Sequence, residues 1–422
     1  MLVSEVLFCG AWVLILYTYL VFPVLLSLFA RVFAHSRTEP IVDLSRAELP
    51  RVAVVIAAYN EEAVIAAKLD NCWQIDYPQD RFSVYIGSDG SHDQTPEILR
   101  RCENPLLHAV IFPQRRGKIS VLNDLVVQID TDILVMTDAS TLFAPDAVQK
   151  LVRQFRDPRM GCVTGELSIE TSGDVSGEGF YLKYERWIKR GEGALGCVIG
   201  CFGPIFAMRR SLYRPLPPST IVEDLVFCLR VLEQGFLTSS EPQAHATDPA
   251  CATMRGEMAR KIRIGAGGFQ TLGITWPLLM PQFGFCAFAY WGHKVLRWLV
   301  PLFFLVGFIA NAILVLSPAD SAILWVFRAA LLFQVMGSLI AWTAYKLPSG
   351  RKMPRWTRPV SYFYLMNYGL FRGLLRFLFN TQKVTWERAE AAASPASLQT
   401  VLPLGTENLA ITARESAVLE SS

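Results

Sequence analysis

Long uncharged stretches near both ends of the chain enclose a middle part in which apolar residues come only in short runs. Residues 6–30 are 25 consecutive positions without a charge, more than the ~20 helical residues that cross a hydrocarbon core. The pattern predicts a spanning helix over residues 1–33. No Lys or Arg precedes it, Glu5 borders it, and Arg31 and Arg37 follow, so the bias of basic residues toward the cytoplasm places the N-terminus outside and the next segment inside. A cleaved leader does not fit, because it needs a basic start and a shorter apolar stretch.

Over residues 34–258 charges are spaced throughout. Four apolar runs, 52–58, 82–87, 109–112 and 133–137, read as strands buried on both faces, as in a parallel sheet. Helical patterns lie between them near 61–73, 96–103 and 117–129, the second opening with Thr95 as N-cap and Pro96 in the first turn. Strand, helix, strand, helix predicts a doubly wound α/β domain.

The chain then turns apolar again. Residues 269–292 carry no charge but contain Pro277 and Pro281, so 259–294 reads as interfacial. Residues 298–316 are a clean run of 19 and read as spanning. A further span over 329–345 starts near Ser321, tolerates Arg328, and precedes a basic, hence cytoplasmic, loop with Lys346, Arg351, Lys352, Arg355 and Arg358. The last apolar stretch, 360–379, is interrupted by Arg372 and Arg376, which are expensive at mid-bilayer unless they face protein, water or phosphate. If it crosses, the C-terminus lies outside; if it rests in the interface, the tail is cytoplasmic. Residues 295–380 thus form a C-terminal membrane region, and 381–422, rich in Ala, Ser, Glu and Thr, read as a disordered tail.

Composition agrees with a membrane protein: 52% of residues are hydrophobic and 18% charged, where soluble domains carry about 25%. Lys and Arg (40) nearly cancel Asp and Glu (37), which gives no global attraction to nucleic acid. The nine cysteines are odd in number and contain no C-x-x-C. They read as reduced core residues rather than as disulfides or a structural zinc site.

Ligands of open α/β sheets bind beyond the carboxyl ends of the strands. The first predicted strand ends in Tyr59-Asn60-Glu61-Glu62, the second in Ser88-Asp89-Gly90-Ser91-His92-Asp93, and the fourth in Thr137-Asp138-Ala139-Ser140. Acidic residues at three strand ends suit a ribose, a base edge and a metal-bound diphosphate better than a bare anion. Glycine-rich dinucleotide and P-loop fingerprints are absent from the first turn. Taken singly, each motif has a plainer use: Asn60 and Glu223-Asp224 suit helix starts, Ser-Asp-Gly-Ser suits a turn, Arg260, Lys261 and Arg263 suit a lipid surface, and His245 suits the protein surface.

In order and spacing the motifs resemble the membrane-integrated inverting glycosyltransferases of family 2, the group holding cellulose, hyaluronan and poly-N-acetylglucosamine synthases, over roughly residues 50–388. The resemblance implies that Tyr59, Asn60 and Glu61 lie beside the base of a nucleotide sugar, that Asp89 contacts the nucleoside, and that Lys118 of Gly117-Lys118 lies near the donor. Asp138 matches the first aspartate of D-x-D, implying contact with ribose, with a diphosphate-bound Mg²⁺ or Mn²⁺, or with both. Glu223-Asp224, opening a helix that ends near Gly235, resembles the E-D motif whose aspartate is the general base. Arg260-Lys261-Ile262-Arg263 resembles the start of Q/R-x-x-R-W, which closes over the diphosphate. Phe202 and Gly203, before Arg209-Arg210, resemble the acceptor-side strand, and His293-Lys294 with Arg297-Trp298 the entry to the membrane region.

Inverting transfer needs a base for the acceptor hydroxyl and positive charge for the departing diphosphate. Asp224 supplies the first. A cation at Asp138 and Arg263 supply the second, and Arg260 and Arg263, three apart on a helix, share a face that could grip one diphosphate. Two positions depart from the family pattern: Ser140 stands at the third place of D-x-D, and Ile264 replaces the tryptophan that would offer an acceptor sugar an aromatic platform.

The expectation is therefore an α/β catalytic domain of GT-A type (a Rossmann-like, mostly parallel sheet) in the cytoplasm, joined to an α-helical transmembrane region of the inner or plasma membrane. The catalytic set is Asp224, Glu223 and Arg263; Tyr59, Asn60, Glu61, Asp89, Lys118, Asp138 and Arg260 bind the donor; Phe202 and Gly203 face the acceptor; Asp138 holds the metal. The donor expected is a UDP-sugar, and the acceptor a growing exopolysaccharide or cell-surface glycan. A lipid acceptor, polyprenyl-linked or ceramide-like, is the alternative. An export subunit and membrane lipids are the further partners. A non-catalytic glycan-binding or transport protein is the rival class, though four spans lack the long repeated halves of a transporter.

Overall fold

The computed structural model describes residues 1–34, 48–170, 176–249, 254–317, 322–346, 354 and 356–382. The tail expected over 381–422 lies outside these residues from 383 onward, as do Arg351, Lys352 and Arg355 of the basic loop.

The chain opens with α1 (Leu2–Leu16) and α2 (Phe22–Phe33), continuous through a π-helical turn at Tyr17–Val21. Next come β1 (Val52–Ala58), α3 (Ile65–Trp73), β2 (Phe82–Asp89), α4 (Thr95–Arg101), β3 (Leu107–Phe112), α5 (Lys118–Gln128) and β4 (Ile133–Met136). They are followed by β5 (Leu142–Phe143), α6 (Ala147–Arg153), β6 (Met160–Glu170), α7 (Ser176–Ala194), β7 (Phe206–Arg209), α8 (Glu223–Glu233) and β8 (Leu237–Pro249). Beyond α9 (Met254–Thr275) two short 3-10 turns lead to α10 (Phe285–Tyr290), which continues through the π turn Trp291–Val295 into α11 (Leu296–Val315); α12 (Ala322–Lys346) and α13 (Thr357–Leu378) complete the described elements.

All eight strands form one sheet in the order β3-β2-β1-β4-β7-β6-β8-β5. The four strands anticipated from the apolar runs are the parallel half, β1 pairing with both β2 (Val52↔Phe82) and β4 (Val52↔Ile133). β7 joins antiparallel to β4 and β6, β8 lies parallel to β6, and β5 is antiparallel to β8. Every residue of β1 is buried, and its alternation splits the core. Val52, Val54, Ile56 and Ala58 face α3 and α6, whereas Ala53, Val55 and Ala57 face α5 and α8. Re-exposing one of its buried Val or Ile side chains would cost about 1.5–3 kcal/mol, which is why a central parallel strand reads as an unbroken apolar run.

α8 is covered on two sides. Val226, Phe227, Cys228 and Val231 pack on the sheet, while Leu225, Leu229 and Leu232 join Phe269, Tyr290 and Trp298 of the C-terminal helices. The helix that begins with Glu223-Asp224 is thus clamped between the sheet and the apolar region.

Among the described residues three helices are long and apolar enough to cross a membrane: Leu2–Phe33, Phe285–Val315 and Ile323–Lys346. Residues 269–292, expected as one interfacial segment, divide instead. Their first part finishes α9, and from Phe285 onward they are the opening turns of the 31-residue helix that runs to Val315. α13 is not among the three; it lies against α9, where a Cβ on Gly373 would stand 2.6 Å from the Ala266 backbone nitrogen, so the two helices touch backbone to backbone. α4 also starts one residue earlier than expected. Thr95 is its first helical residue, and the Thr95 hydroxyl accepts from the Glu61 N–H at 2.8 Å instead of capping its own helix. None of the described cysteines forms a disulfide, and all but exposed Cys9 are buried or half-buried, as core thiols should be.

Candidate active site

The carboxyl ends of β1, β2 and β4 open on one side of the sheet and bring their polar residues together. The β1 end is laced to the β2 end: the Asn60 N–H donates to Ser91 Oγ (3.1 Å), the His92 N–H to Asn60 Oδ1 (2.9 Å), and the Glu62 N–H to Asp93 Oδ2 (3.0 Å). Asn60 adopts φ 53°, a left-handed turn that asparagine tolerates. The Arg115 guanidinium lies 3.7 Å from the centroid of the Tyr59 ring, a flat cationic stack at the rim of the site.

Asp89 is fully buried. Its two carboxylate oxygens accept from the Arg116 N–H (2.7 Å) and the Gly117 N–H (2.8 Å), so it shapes the loop that delivers Lys118 at the start of α5. Lys118 Nζ then donates to Asp138 Oδ1 (2.6 Å) and pairs with Glu223 Oε1 (2.5 Å). Three residues separated by 20 and 85 positions in sequence meet at one ammonium. Burial disfavours the charge of Lys118, but Asp138 and Glu223 outweigh it and hold the ammonium well above its ordinary range. Burial likewise pushes Asp138 up, and Lys118, with smaller help from Arg263 and Lys68, keeps its carboxyl below the usual value.

The turn carrying Asp138 is held from beneath by Lys68, a fully buried lysine donating to Thr141 O (2.5 Å) and Thr137 Oγ1 (3.3 Å). Ser140, in place of the second D-x-D carboxylate, donates to Asp248 Oδ1 (2.9 Å), and Thr141 Oγ1 donates to the same oxygen (3.0 Å). Asp248 belongs to the end of β8 and had no signal in the sequence. Burial first, and the charge of Asp138 second, push its carboxyl up to about 6. Asp138 and Asp248 therefore offer hard oxygen donors of the kind Mg²⁺ and Mn²⁺ prefer.

Asp224 sits beside Glu223 at the first turn of α8. Burial and the neighbouring Glu223 charge raise its carboxyl to about 6, against smaller lowering contributions that include Lys118 and Lys189. Gly203 faces it closely: a Cβ there would lie 3.1 Å from Asp224 Oδ2. A small pocket beside Gly203 is lined by Lys118, Thr137, Glu223, Phe206 and Phe227. Phe202, half-buried, packs its ring near the Lys189 ammonium (4.9 Å to the centroid).

The two arginines expected to share one diphosphate are engaged separately. Arg260 makes a two-pronged pair with Glu257 on its own helix (2.9 and 3.0 Å), whereas Arg263 Nη1 donates to Ile221 O (3.0 Å) and its charge bears on Asp138. A glutamate one turn earlier on α9 pairs with Arg260, whose charge also bears on Asp248. His245 is exposed, as a surface histidine would be. Sequence reasoning also missed Arg115, Lys189 and Glu192. Arg115 could have been suspected from its place before Arg116-Gly117-Lys118, but Lys189 and Glu192 read as a solvated helix face.

A family model described as glycosyltransferase-like family 2 matches residues 50–263. An N-acetylglucosaminyltransferase of Rhizobium meliloti (strain 1021) is 26% identical over 279 residues, 61% of this chain and 65% of that protein. The poly-beta-1,6-N-acetyl-D-glucosamine synthase of Staphylococcus aureus (strain COL) is 26% identical over 238 residues, 54% of this chain and 57% of that one. The chain spans about three fifths of the length of the curated relatives it matches. Among solved structures, the mannosyltransferase PcManGT from Pyrobaculum calidifontis, in complex with GDP-Man and Mn²⁺, superposes with a TM-score of 0.68 at 22% identity, covering 89% of this chain and 100% of the other. The fold is thus of GT-A type.

Proposed function

The chain belongs to the glycosyltransferase-like family 2, and from that membership we propose that it is a membrane-bound inverting enzyme moving a sugar from a UDP-sugar to a growing exopolysaccharide or cell-surface glycan. The observation that carries this reading is the contact of Asp224 with Gly203 beside the Lys118-Asp138-Glu223 cluster. On this reading a carboxylate with a raised proton affinity lies next to the acceptor-side turn at Gly203 and one residue from the donor cluster.

In this reading Tyr59, Asn60, Glu61 and the loop shaped by Asp89 hold the nucleoside, and Lys118 neutralises the phosphates. Asp224 takes the proton of the acceptor hydroxyl, whose oxygen forms the new bond to the anomeric carbon as the bond to the diphosphate oxygen breaks. Arg263 stabilises the departing diphosphate, and Arg260 joins it if donor binding releases Glu257. A Mg²⁺ or Mn²⁺ ion held by Asp138, with Asp248 reached through Ser140, would spread the charge of the leaving group when bound. No covalent intermediate with the enzyme is needed.

The placement we propose is a cytoplasmic catalytic domain at an inner or plasma membrane. Three crossings, Leu2–Phe33, Phe285–Val315 and Ile323–Lys346, leave Lys346 and the basic loop inside when the N-terminus is outside, in keeping with the charge bias. α13 then rests in the interface on α9. One feature favours the lipid-acceptor alternative: Ile264 offers no aromatic platform for a polymer.

The test incubates membranes containing the protein with radiolabelled UDP-sugars and Mg²⁺, Mn²⁺ or EDTA, and divides label between lipid extract and ethanol-insoluble material. Cation-dependent, glycanase-sensitive insoluble label that disappears in Asp224→Asn supports polymer synthesis. Label confined to the lipid extract moves the acceptor to a lipid, and transport of glycan without turnover would favour the non-catalytic rival.

A further inference from the structure

α7 carries three charged residues that a solvated helix would expose but that are buried here: Glu185 (5% exposed), Lys189 (3%) and Glu192 (0%). Spaced four and three apart, they share one face. Ionic groups without water need directed partners, and each has them, on two sides. Toward the sheet, Lys189 Nζ donates to Gly200 O, and Glu192 Oε2 accepts from the Ile199 N–H (3.0 Å). Both grips fall on the backbone of residues 197–203, the segment that leads into the turn at Gly203, which meets Asp224. Toward the apolar helix, Glu192 Oε1 lies 2.6 Å from His293 Nδ1, and His293 Nε2 lies 3.0 Å from Glu185 Oε1. Glu185 also accepts from Lys294 Nζ (2.8 Å) and Arg297 Nη1 (2.7 Å). His293 is fully buried and belongs to the helix Phe285–Val315.

We infer that Lys189 and Glu192 are positioning residues that hold the segment 199–203 against the base and tie its seat, through His293 and Glu185, to the helix entering the membrane. The inference rests on the reading of Asp224 as base and of residues 200–203 as the acceptor side. Lys189 acts on that base in a second way. The charged groups that bear on Asp224 are Glu223 on its own helix, Lys118 from α5 and Lys189 from α7, and Lys189 favours the carboxylate.

On this reading the segment ending at Gly203 lies on the acceptor side, so its displacement should slow transfer more than it slows attack by water. The experiment uses the full-length protein in native membranes with UDP-[¹⁴C]GlcNAc, and measures transfer to insoluble or lipid material, release of free sugar by hydrolysis, and donor KM. Glu192→Gln, Lys189→Met and His293→Gln are each expected to lower transfer about tenfold or more, as small displacements of reacting groups do, with hydrolysis and donor KM within about twofold of the parent. Lys189→Met should also move the acid limb of kcat to higher pH, and Lys189→Arg should recover both effects in part. A preserved donor KM shows that a variant is folded, and Glu192→Gln, nearly isosteric, guards against collapse on loss of Lys189. Equal loss of transfer and hydrolysis with an unmoved pH limb, or no loss in any variant, overturns the inference. If the parent shows no turnover with any UDP-sugar, or turnover survives Asp224→Asn, the reading of the site has failed instead.

Discussion

Asp224 and Gly203 are packed so closely that a Cβ on Gly203 would stand 3.1 Å from Asp224 Oδ2 and 3.3 Å from its Cγ. Asp224 and the turn at Gly203 come this close because Gly203 has no side chain. Gly203→Ala should push the carboxylate aside by a few tenths of an ångström without touching the donor side. The expected result is a fall in kcat of about tenfold with donor KM unchanged, since misplacement by a full ångström can cost about a hundredfold. An unaltered kcat would mean that this turn does not lie against the base during turnover.

Asp224 must be ionised to accept a proton, and burial together with Glu223 puts its carboxyl at about 6. The rate should therefore be lost as pH falls through about 6, each further unit costing about tenfold. Glu223→Gln removes the like charge beside Asp224, so the acid limb should move to lower pH even as donor binding weakens through the loss of the Lys118 partner. A kcat profile that is flat from pH 5 to 8 would exclude Asp224 as the group whose ionisation limits the rate.

How much of this was legible depended on how locally each feature is encoded. β1 to β4 are buried on both faces, so their apolar runs stand out without knowledge of the fold. β8 mixes Thr, Ser, Glu, Gln and His with Pro242 and Pro249, because it lies away from the double-sided centre of the sheet, and no run marks it. α7, with its charged residues at 178, 183, 185, 186, 189, 190 and 192, looks solvated until His293 and Arg297 supply partners from about 100 positions later. The same pairing explains why the apolar helix does not break at His293-Lys294: the charges that mark an end in the sequence are satisfied within the fold. Asp138, Lys118, Glu223 and Asp224 were recognisable from motif order. The link of Ser140 to Asp248, 108 residues apart, depends on β8 lying beside the D-x-S turn, and nothing near either residue announces it.

Ser140 where a second carboxylate is usual makes Asp248 the group to test for cation affinity. Asp138→Asn should abolish Mn²⁺ binding measured by the loss of the free-ion electron paramagnetic resonance signal. Asp248→Asn should weaken it several-fold, because the carboxylate that Ser140 hydrogen-bonds is then neutral. Treatment with EDTA should stop turnover, and Mn²⁺ should restore it. If Asp248→Asn leaves the Mn²⁺ titration unchanged, the ion is held by Asp138 and the diphosphate alone.

Lys118 bridges Asp138 and Glu223 at 2.6 and 2.5 Å, and so would play two opposed parts. It neutralises two carboxylates that would repel each other across a partly buried site, and it occupies the Asp138 oxygen that a metal ion would seek. Once a diphosphate arrives with its own negative charge, the ammonium can turn to the phosphate oxygens and leave Asp138 to the cation. Lys118→Met separates the two parts. Donor KM should rise about tenfold or more, because a charge-assisted contact worth about 1.5–3 kcal/mol is removed. Mn²⁺ binding in the absence of donor should become tighter, since its competitor is gone. The acid limb of the rate should move upward, because Lys118 is one of the charges favouring ionised Asp224. Calorimetric titration with Mn²⁺ alone, and then with UDP-sugar, reads the two affinities separately. Weaker binding of both would show that Lys118 holds the site together instead of sharing Asp138 with the metal.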